Sequence, residues 1–327
     1  IRWLKGLYHP EAFHGVRSRS PYFEGWYHKI SMPNGQSIVL IPGIYKSGLI
    51  DYETAFIMIF NGQNGNVDYI TFSPEEFICH PNKYELQLGA NFFSLNEIIL
   101  NINTDTIVAK GHVQNQNIKP WPVSILEPGC MGWYAYVPTM ECFHGILSMD
   151  HHLKGEIDIN GKSYLFDNGR GYIEKDWGTN FPKNWVWAQS NHFELPGISL
   201  SVSIATIPLR KSEFSGFIVG LQVNDFLYRF TPYRGSKVDL VTYNENEFSC
   251  HFKQADLDLQ IQLYKGSKTG ILFAPDKFDM KEKVAENLDA KIRFKLKKGN
   301  KIIAEGKSSN GALEIIGDTK SLIENFT

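Results

Sequence analysis

One pattern of residues occurs twice along this chain, and that repetition limits what it can fold into. Trp26-Tyr27-His28, followed by Pro33-Asn34-Gly35 and an apolar run, matches Trp187-Ala188-Gln189, followed by Pro196-Gly197 and Ile198 to Ile204. Ala55-Phe56-Ile57-Met58 is answered by Gly216-Phe217-Ile218-Val219, and the Trp pair and the Phe pair are both 161 residues apart. Tyr69 to Pro74 echoes Tyr228 to Pro232, and Ile107 to Gly111 echoes Ile302 to Gly306. A shared order at a near-constant offset points to duplication. The 327 residues suit two units of about 150 each. The expected division is an N-terminal unit at 1–165 and a C-terminal unit at 166–327.

Both halves read as strands. Ser37 to Ile41 and Ala55 to Phe60 are short runs rich in β-branched and aromatic residues. Asn61-Gly62-Gln63-Asn64-Gly65 is a hairpin turn leading into Val67 to Phe72, and alternation continues through Tyr84 to Leu88, Glu97 to Ile102 and Thr106 to Val113. Helical periodicity is scarce, with Lys281 to Leu288 the one short helix expected. The fold class expected is all-β: two duplicated lipocalin-like antiparallel units, each a barrel or strongly bent sheet able to enclose a small ligand.

Composition narrows the function. A net charge of −2 leaves no basic footprint for nucleic acid. Cys79, Cys130, Cys142 and Cys250 are scattered without a Cys-x-x-Cys pair, which implies buried thiols in a reducing, cytoplasmic setting. No run approaches the ~20 apolar residues of a membrane span. His151-His152 would point to opposite faces of a strand, and His9, His14, His144 and His192 show no ligand spacing, so no metal is expected. There is no Gly-x-Ser-x-Gly elbow for a serine hydrolase.

Strand alternation places the side chains that remain. Glu24, Trp26 and His28 share a face of the strand from Tyr22 to Ile30. Tyr172, Glu174 and Asp176 share one face of the segment Gly171 to Gly178, with Ile173, Lys175 and Trp177 on the other. Trp185, Trp187, Gln189 and Asn191 line up on a third. Each has an ordinary structural explanation: the tryptophans as core, Asp176 as a turn cap, Glu24 as a solvated edge carboxylate. Against it stands the coincidence of three carboxylates on related strands that carry indoles. A carboxyl group held against indole loses solvation and keeps its proton nearer neutrality. Glu174 and Asp176 could also suggest a carbohydrate-active pair, but two residues apart on a strand is ~6–7 Å, which does not identify that mechanism.

At these residues the sequence resembles the tocopherol cyclase family. The matching stretches are His9-Pro10 with Phe13-His14-Gly15, then Tyr22-Phe23-Glu24-Gly25-Trp26-Tyr27, and above all Gly171 to Gly178 through Phe181-Pro182 to Trp185-Val186-Trp187-Ala188-Gln189-Ser190-Asn191. A more distant similarity is to carotenoid hydratases and paired lipocalin-like proteins. The plastid targeting segments and long insertions of the plant members are not visible here. The resemblance implies cofactor-free, acid-catalysed closure of a chromanol ring from a prenylated hydroquinone, a hydrophobic substrate whose delivery would involve transient contact with a membrane surface. It implies Asp176 as proton donor, with Glu174 or Glu24 orienting it or taking the phenolic proton. Trp26, Trp185 and Trp187 would wall the cation, each indole contributing on the order of 1–2 kcal/mol when desolvated. Gln189 or Asn191 would hold the quinol hydroxyls, and Tyr27 and Tyr172 would line the same substrate site. Two other functions remain open: hydration of an isoprenoid alkene, and non-catalytic carriage of a lipid.

Overall fold

In the computed structural model, residues 6–18, 20–47, 52–137, 140–209, 212–276, 278–324 and 326 are described. The first sheet contains β1 (Tyr22–Ser31), β2 (Ser37–Lys46), β3 (Glu53–Asn61), β4 (Val67–Phe72), β5 (Phe77–Cys79), β6 (Glu85–Leu88), β7 (Asn91–Ser94), β8 (Glu97–Asn103), β9 (Val108–Gln116), β10 (Cys142–Ile159), β11 (Lys162–Leu165) and β12 (Arg170–Gly178). The second contains β13 (Trp185–Ser190), β14 (Ile198–Leu209), β15 (Ser212–Val223), β16 (Phe226–Phe230), β17 (Lys237–Tyr243), β18 (Glu247–Gln254), β19 (Leu257–Tyr264), β20 (Thr269–Asp276), β21 (Asp279–Lys298) and β22 (Lys301–Ile316), followed by helix α1 (Thr319–Glu324). The chain thus forms two antiparallel sheets, as its strand-rich sequence requires. Two compact units result: residues Ile1–Phe181 with Leu272–Lys283, and Pro182–Ile271 with Val284–Thr327.

The first sheet runs β4-β3-β2-β1-β12-β10-β9-β8-β7-β6-β5, with β11 paired to β10. It is bent and open: among the described residues β4 and β5 end the order and do not pair with each other. The bend brings Tyr84, Leu86, Leu88 and Phe93 against Trp26, Leu40, Ile57 and Ile59 in one buried cluster. Trp26 stacks on Tyr84 with centroids 4.9 Å apart and planes at 5°. The arm Leu272–Lys283 counts with this unit: Phe273 stacks on Tyr69 at 4.2 Å, and Tyr45 donates to the Asp276 carbonyl at 2.8 Å.

The second sheet repeats this order as β16-β15-β14-β13-β22-β21-β19-β18-β17. Register confirms the repeat of four-strand meanders but alters the residue equivalences. Ile57 lies opposite Ile70 and Val219 opposite Phe230; His28 lies opposite Leu40 and Ser190 opposite Leu200. Core faces coincide when Trp26 is matched to Ala188 and Leu40 to Leu200, because Val186, Ala188, Leu200 and Val219 fill the second core. The sequence match of Trp26 with Trp187 therefore joins opposite faces: the first indole enters its core and the second points away. The echo of Ile107 to Gly111 in Ile302 to Gly306 also fails by position, since β22 flanks the first strand of its meander as β12 does, whereas β9 lies two places further out.

Lys281 to Leu288 is strand, within β21. Its helix-forming residues are overridden by pairing: β20 pairs β21, β22 lies opposite it from Glu286 onward, and Val284, Glu286 and Leu288 are buried. All four cysteines are free. His151 is buried and His152 exposed, as alternation demands.

Inside the first unit, His28 Nε2 lies 2.6 Å from the Tyr84 hydroxyl and His151 Nδ1 lies 2.9 Å from the Ser148 hydroxyl. Burial pushes both imidazoles down to about 3 from the ordinary 6.5. Between those values the unfolded chain takes up protons that the folded chain refuses. Stability should be fully present above pH 6.5 and should fall steadily as pH drops toward 3. Replacing His28 by Asn should flatten that acid limb in urea titrations; an unchanged limb would show that its cause lies elsewhere.

Candidate active site

β12 is the strand on which the polar chemistry converges. It lies between β1 and β10, with Tyr27 opposite Glu174, Lys29 opposite Tyr172 and Gly25 opposite Asp176 on one side. On the other side His144 lies opposite Asp176 and Ile146 opposite Glu174. Directly opposed residues share a face of the sheet. One face, away from the hydrophobic core, therefore presents Tyr27, Lys29, Tyr172, Glu174, Asp176 and His144. These groups are mostly buried: Tyr172 is 0% exposed, Lys29 1% and Glu174 4%.

His144 Nδ1 lies 2.9 Å from Asp176 Oδ1, and its Nε2 lies 3.7 Å from Glu174 Oε2. The Tyr172 hydroxyl donates to Glu174 Oε2 at 2.5 Å. Around the imidazole, Cys130 Sγ donates to the His144 carbonyl and the His144 amide donates to Met131 Sδ, both at 3.2 Å. Burial alone would depress the His144 pKa. The Asp176 charge, then the Glu174 charge and the hydrogen bond to Asp176 outweigh it and lift the group to about 9. At neutral pH His144 is an imidazolium between two carboxyl groups. The donor atoms of His144, Glu174 and Asp176 all lie within 4.8 Å of one another. These three residues offer three donors, where zinc takes four ligands and calcium six or more.

Glu24 is not part of this group. It lies opposite Trp177, so it shares the core-side face with Trp26, His28, Ile173 and Lys175. There it is fully buried, and its Oε1 stands 2.5 Å from Lys175 Nζ. The Tyr22 hydroxyl at 2.5 Å and the backbone N–H groups of His14 and Gly15 also donate to it. Burial would raise its pKa, but above all the Lys175 charge, with hydrogen bonding from His14, holds it at about 2. It is thus a firmly ionised carboxylate on the opposite side of the sheet from Asp176. Trp26 is likewise engaged. Lys175 Nζ sits 4.8 Å from the Trp26 ring and 4.7 Å from the Trp177 ring, so these indoles flank the chain's own cation.

In the second unit, Trp185 and Trp187 lie on the face away from its core, as does Gln189, all three buried. Trp187 stands opposite Glu314, and Trp185 Nε1 donates to Glu314 Oε2 at 2.6 Å. Asn191, also buried, accepts at Oδ1 from His192 Nδ1 at 3.0 Å. Of the predicted residues, the structure brings together Tyr27, Tyr172, Glu174 and Asp176 in the first unit, and Trp185, Trp187 and Gln189 in the second, where the unpredicted Glu314 accepts from the Trp185 indole. Sequence reasoning missed His144, Lys29 and Glu314. For His144 the usable signal was the face rule applied across a strand pair whose register no local pattern announces.

The two antiparallel sheets define a class of paired β-sheet proteins, and comparison with known proteins gives the family. Residues 110–317 match the family model described as tocopherol cyclase-like, and the chain belongs to that family. The matched range includes His144, Tyr172, Glu174 and Asp176 and leaves out Glu24 and Trp26. Among relatives, it is 24% identical over 282 residues to a chloroplastic tocopherol cyclase of Zea mays, covering 69% of this chain and 58% of that protein. It is 24% identical over 288 residues to a probable chloroplastic tocopherol cyclase of Oryza sativa subsp. japonica, covering 69% and 59%. The chain thus spans about three-fifths of the length of these curated relatives. The crystal structure of CghA shares the fold, with a TM-score of 0.57 at 8% identity over 91% of this chain and 88% of that one. No described helix is long and apolar enough to cross a membrane.

Proposed function

We propose that this protein is a cofactor-independent cyclase that closes a chromanol ring on a prenylated hydroquinone. The observation that carries the reading is the row Tyr172–Glu174–His144–Asp176, a buried proton store beside two carboxyl groups. Family membership supplies the substrate class. The reaction needs a proton at the less substituted carbon of a trisubstituted alkene, protection of the resulting tertiary cation from water, and a base for the phenolic proton.

His144 holds the proton and Asp176 delivers it. An apolar substrate that expels water lowers the local dielectric, which favours the neutral pair, imidazole with carboxylic acid, over imidazolium with carboxylate. Asp176 then protonates the alkene. The phenolic oxygen attacks the tertiary carbon, its proton passes to Glu174, and Glu174 lies beside His144 to return it. Atoms balance without any co-reactant: the product is an isomer of the substrate. Tyr172 orients Glu174 through its short hydrogen bond. General acid–base steps of this kind contribute about 10²–10⁴-fold.

The test is to incubate the purified protein, under reducing conditions, with hydroquinones bearing prenyl chains of several lengths. A product of unchanged mass and altered retention is expected. A product heavier by one water would mean that solvent, not the phenol, captures the cation. Tight binding without any product would leave a carrier.

A further inference from the structure

Residues Pro10 to Gly15 form a strap across the back of β10 and β12, and its anchoring is unusually dense. Lys175 Nζ donates to the Pro10 carbonyl at 3.1 Å, to the Ala12 carbonyl, and to His14 Nδ1 at 2.8 Å. His14 stacks on Trp177 with centroids 4.4 Å apart and planes at 4°. Its amide and that of Gly15 bond to Glu24, while Trp26 Nε1 donates to the Glu11 carbonyl at 3.1 Å. Pro10 rests on Gly145: a Cβ there would stand 3.0 Å from Pro10 Cβ and 3.3 Å from the Trp177 ring.

The rung under this strap is Gly145 opposite Lys175. The rungs on either side are His144 opposite Asp176 and Ile146 opposite Glu174. Side chains alternate, so the strap grips one face at the very rung whose neighbours project the acid–base row on the other. β10 needs such support. His144 lies two residues after the strand begins, and the ladder to β12 shifts register between Ile146 and Ser148 and again between Ser148 and His151. Bulges loosen a ladder locally. The ladder around His144 is therefore regular only from Cys142 to Ile146, a short stretch between the start of the strand and its first shift.

We propose that Gly145 and Lys175 are positioning residues: they seat the strap Pro10–Gly15 against β10 and β12 and thereby set the distances from His144 to Asp176 and Glu174. The absent side chain at Gly145 admits the strap, and the buried ammonium of Lys175 fastens it. Neither residue touches substrate in this account. The inference rests on the acid–base reading of His144, Glu174 and Asp176, and extends it from the groups that react to the device that aligns them. His144 faces Asp176 and Glu174 from β12 and has Cys130 and Met131 against its own backbone.

The test replaces Gly145 by Ala and by Val in the full chain, with circular dichroism to establish folding and NMR titration of the His144 imidazole as the primary readout. Displacing the strap should move the His144 midpoint down from about 9 toward the ordinary 6.5, more for Val than for Ala. Where turnover is measurable, kcat should fall about 10- to 100-fold, as displacements near 1 Å in a site commonly produce, with KM nearly constant. If Gly145→Val does not fold, the Ala variant carries the test. A folded variant with lower melting temperature but an unmoved His144 midpoint overturns the proposal. A moved midpoint in a protein that never cyclises any hydroquinone upholds the positioning role and sinks the cyclase reading instead, so the two failures are distinct.

Discussion

Glu24→Gln should destabilise the first unit by about 3–5 kcal/mol, the cost of leaving one member of a buried ion pair without its partner. The amide keeps the shape of the carboxyl group but not its charge. Lys175, wholly buried between two indoles, would then stand uncompensated, and the amides of His14 and Gly15 would lose a charged acceptor. Lys175→Met should cost a similar amount by exposing Glu24 to the same penalty. The double variant should be far less damaged than the sum of the two, since neither lone charge remains, and replaced buried pairs are often nearly neutral. Urea midpoints of the four proteins measure this directly. Additive losses would mean that the pair is not coupled, and a Glu24→Gln variant of native stability that loses turnover would return Glu24 to the chemistry.

The second large effect concerns Asp176. Asp176→Asn should leave the fold intact, because the side chain is about a quarter exposed and its bond to His144 can be kept by the amide oxygen. It should lower cyclisation by about 10²–10⁴-fold, the usual worth of a positioned acid. It should also lower the His144 pKa, since the Asp176 charge is the strongest influence raising it. Glu174→Gln should act differently. It retains the proton donor but removes the base for the phenolic proton, and because the Glu174 charge helps raise the His144 pKa, its loss should also move the alkaline limb of the rate to lower pH.

Much of the architecture was legible because strand chemistry is local. Val67 to Phe72 was bounded to the residue by its turn and its apolar run, and alternation correctly separated Tyr172, Glu174 and Asp176 from Ile173, Lys175 and Trp177. What alternation cannot say is which face meets the core when both are buried. β1 has one half-buried residue, Gly25, and nine buried ones, with carboxylate, ammonium and imidazole distributed over its two sides. The usual contrast of apolar inside and polar outside is therefore missing, and Glu24 read as a companion of Asp176 when it is the counter-ion of Lys175.

The same limit explains the false pairing of Trp26 with Trp187. A shift of one residue preserves the look of a strand and exchanges its faces. His144 was passed over because its partners are 30 and 32 residues away and reach it through a bulged ladder. The motifs His9-Pro10, Phe13-His14-Gly15 and Tyr22 to Tyr27 carried the family resemblance and gather largely around the Lys175 anchor. Recognisable residues are thus shared between the reacting face and the scaffold behind it, and sequence alone does not sort them.

The central claim is that the face bearing His144, Glu174 and Asp176, not the face bearing Glu24, performs acid-catalysed cyclisation. The most direct measurement is the initial rate of chromanol formation from a prenylated hydroquinone by the native protein and by Asp176→Asn, with folding checked by circular dichroism. The account predicts turnover by the native protein and a loss of at least about 10²-fold in the folded variant. Undiminished cyclisation by folded Asp176→Asn would contradict it.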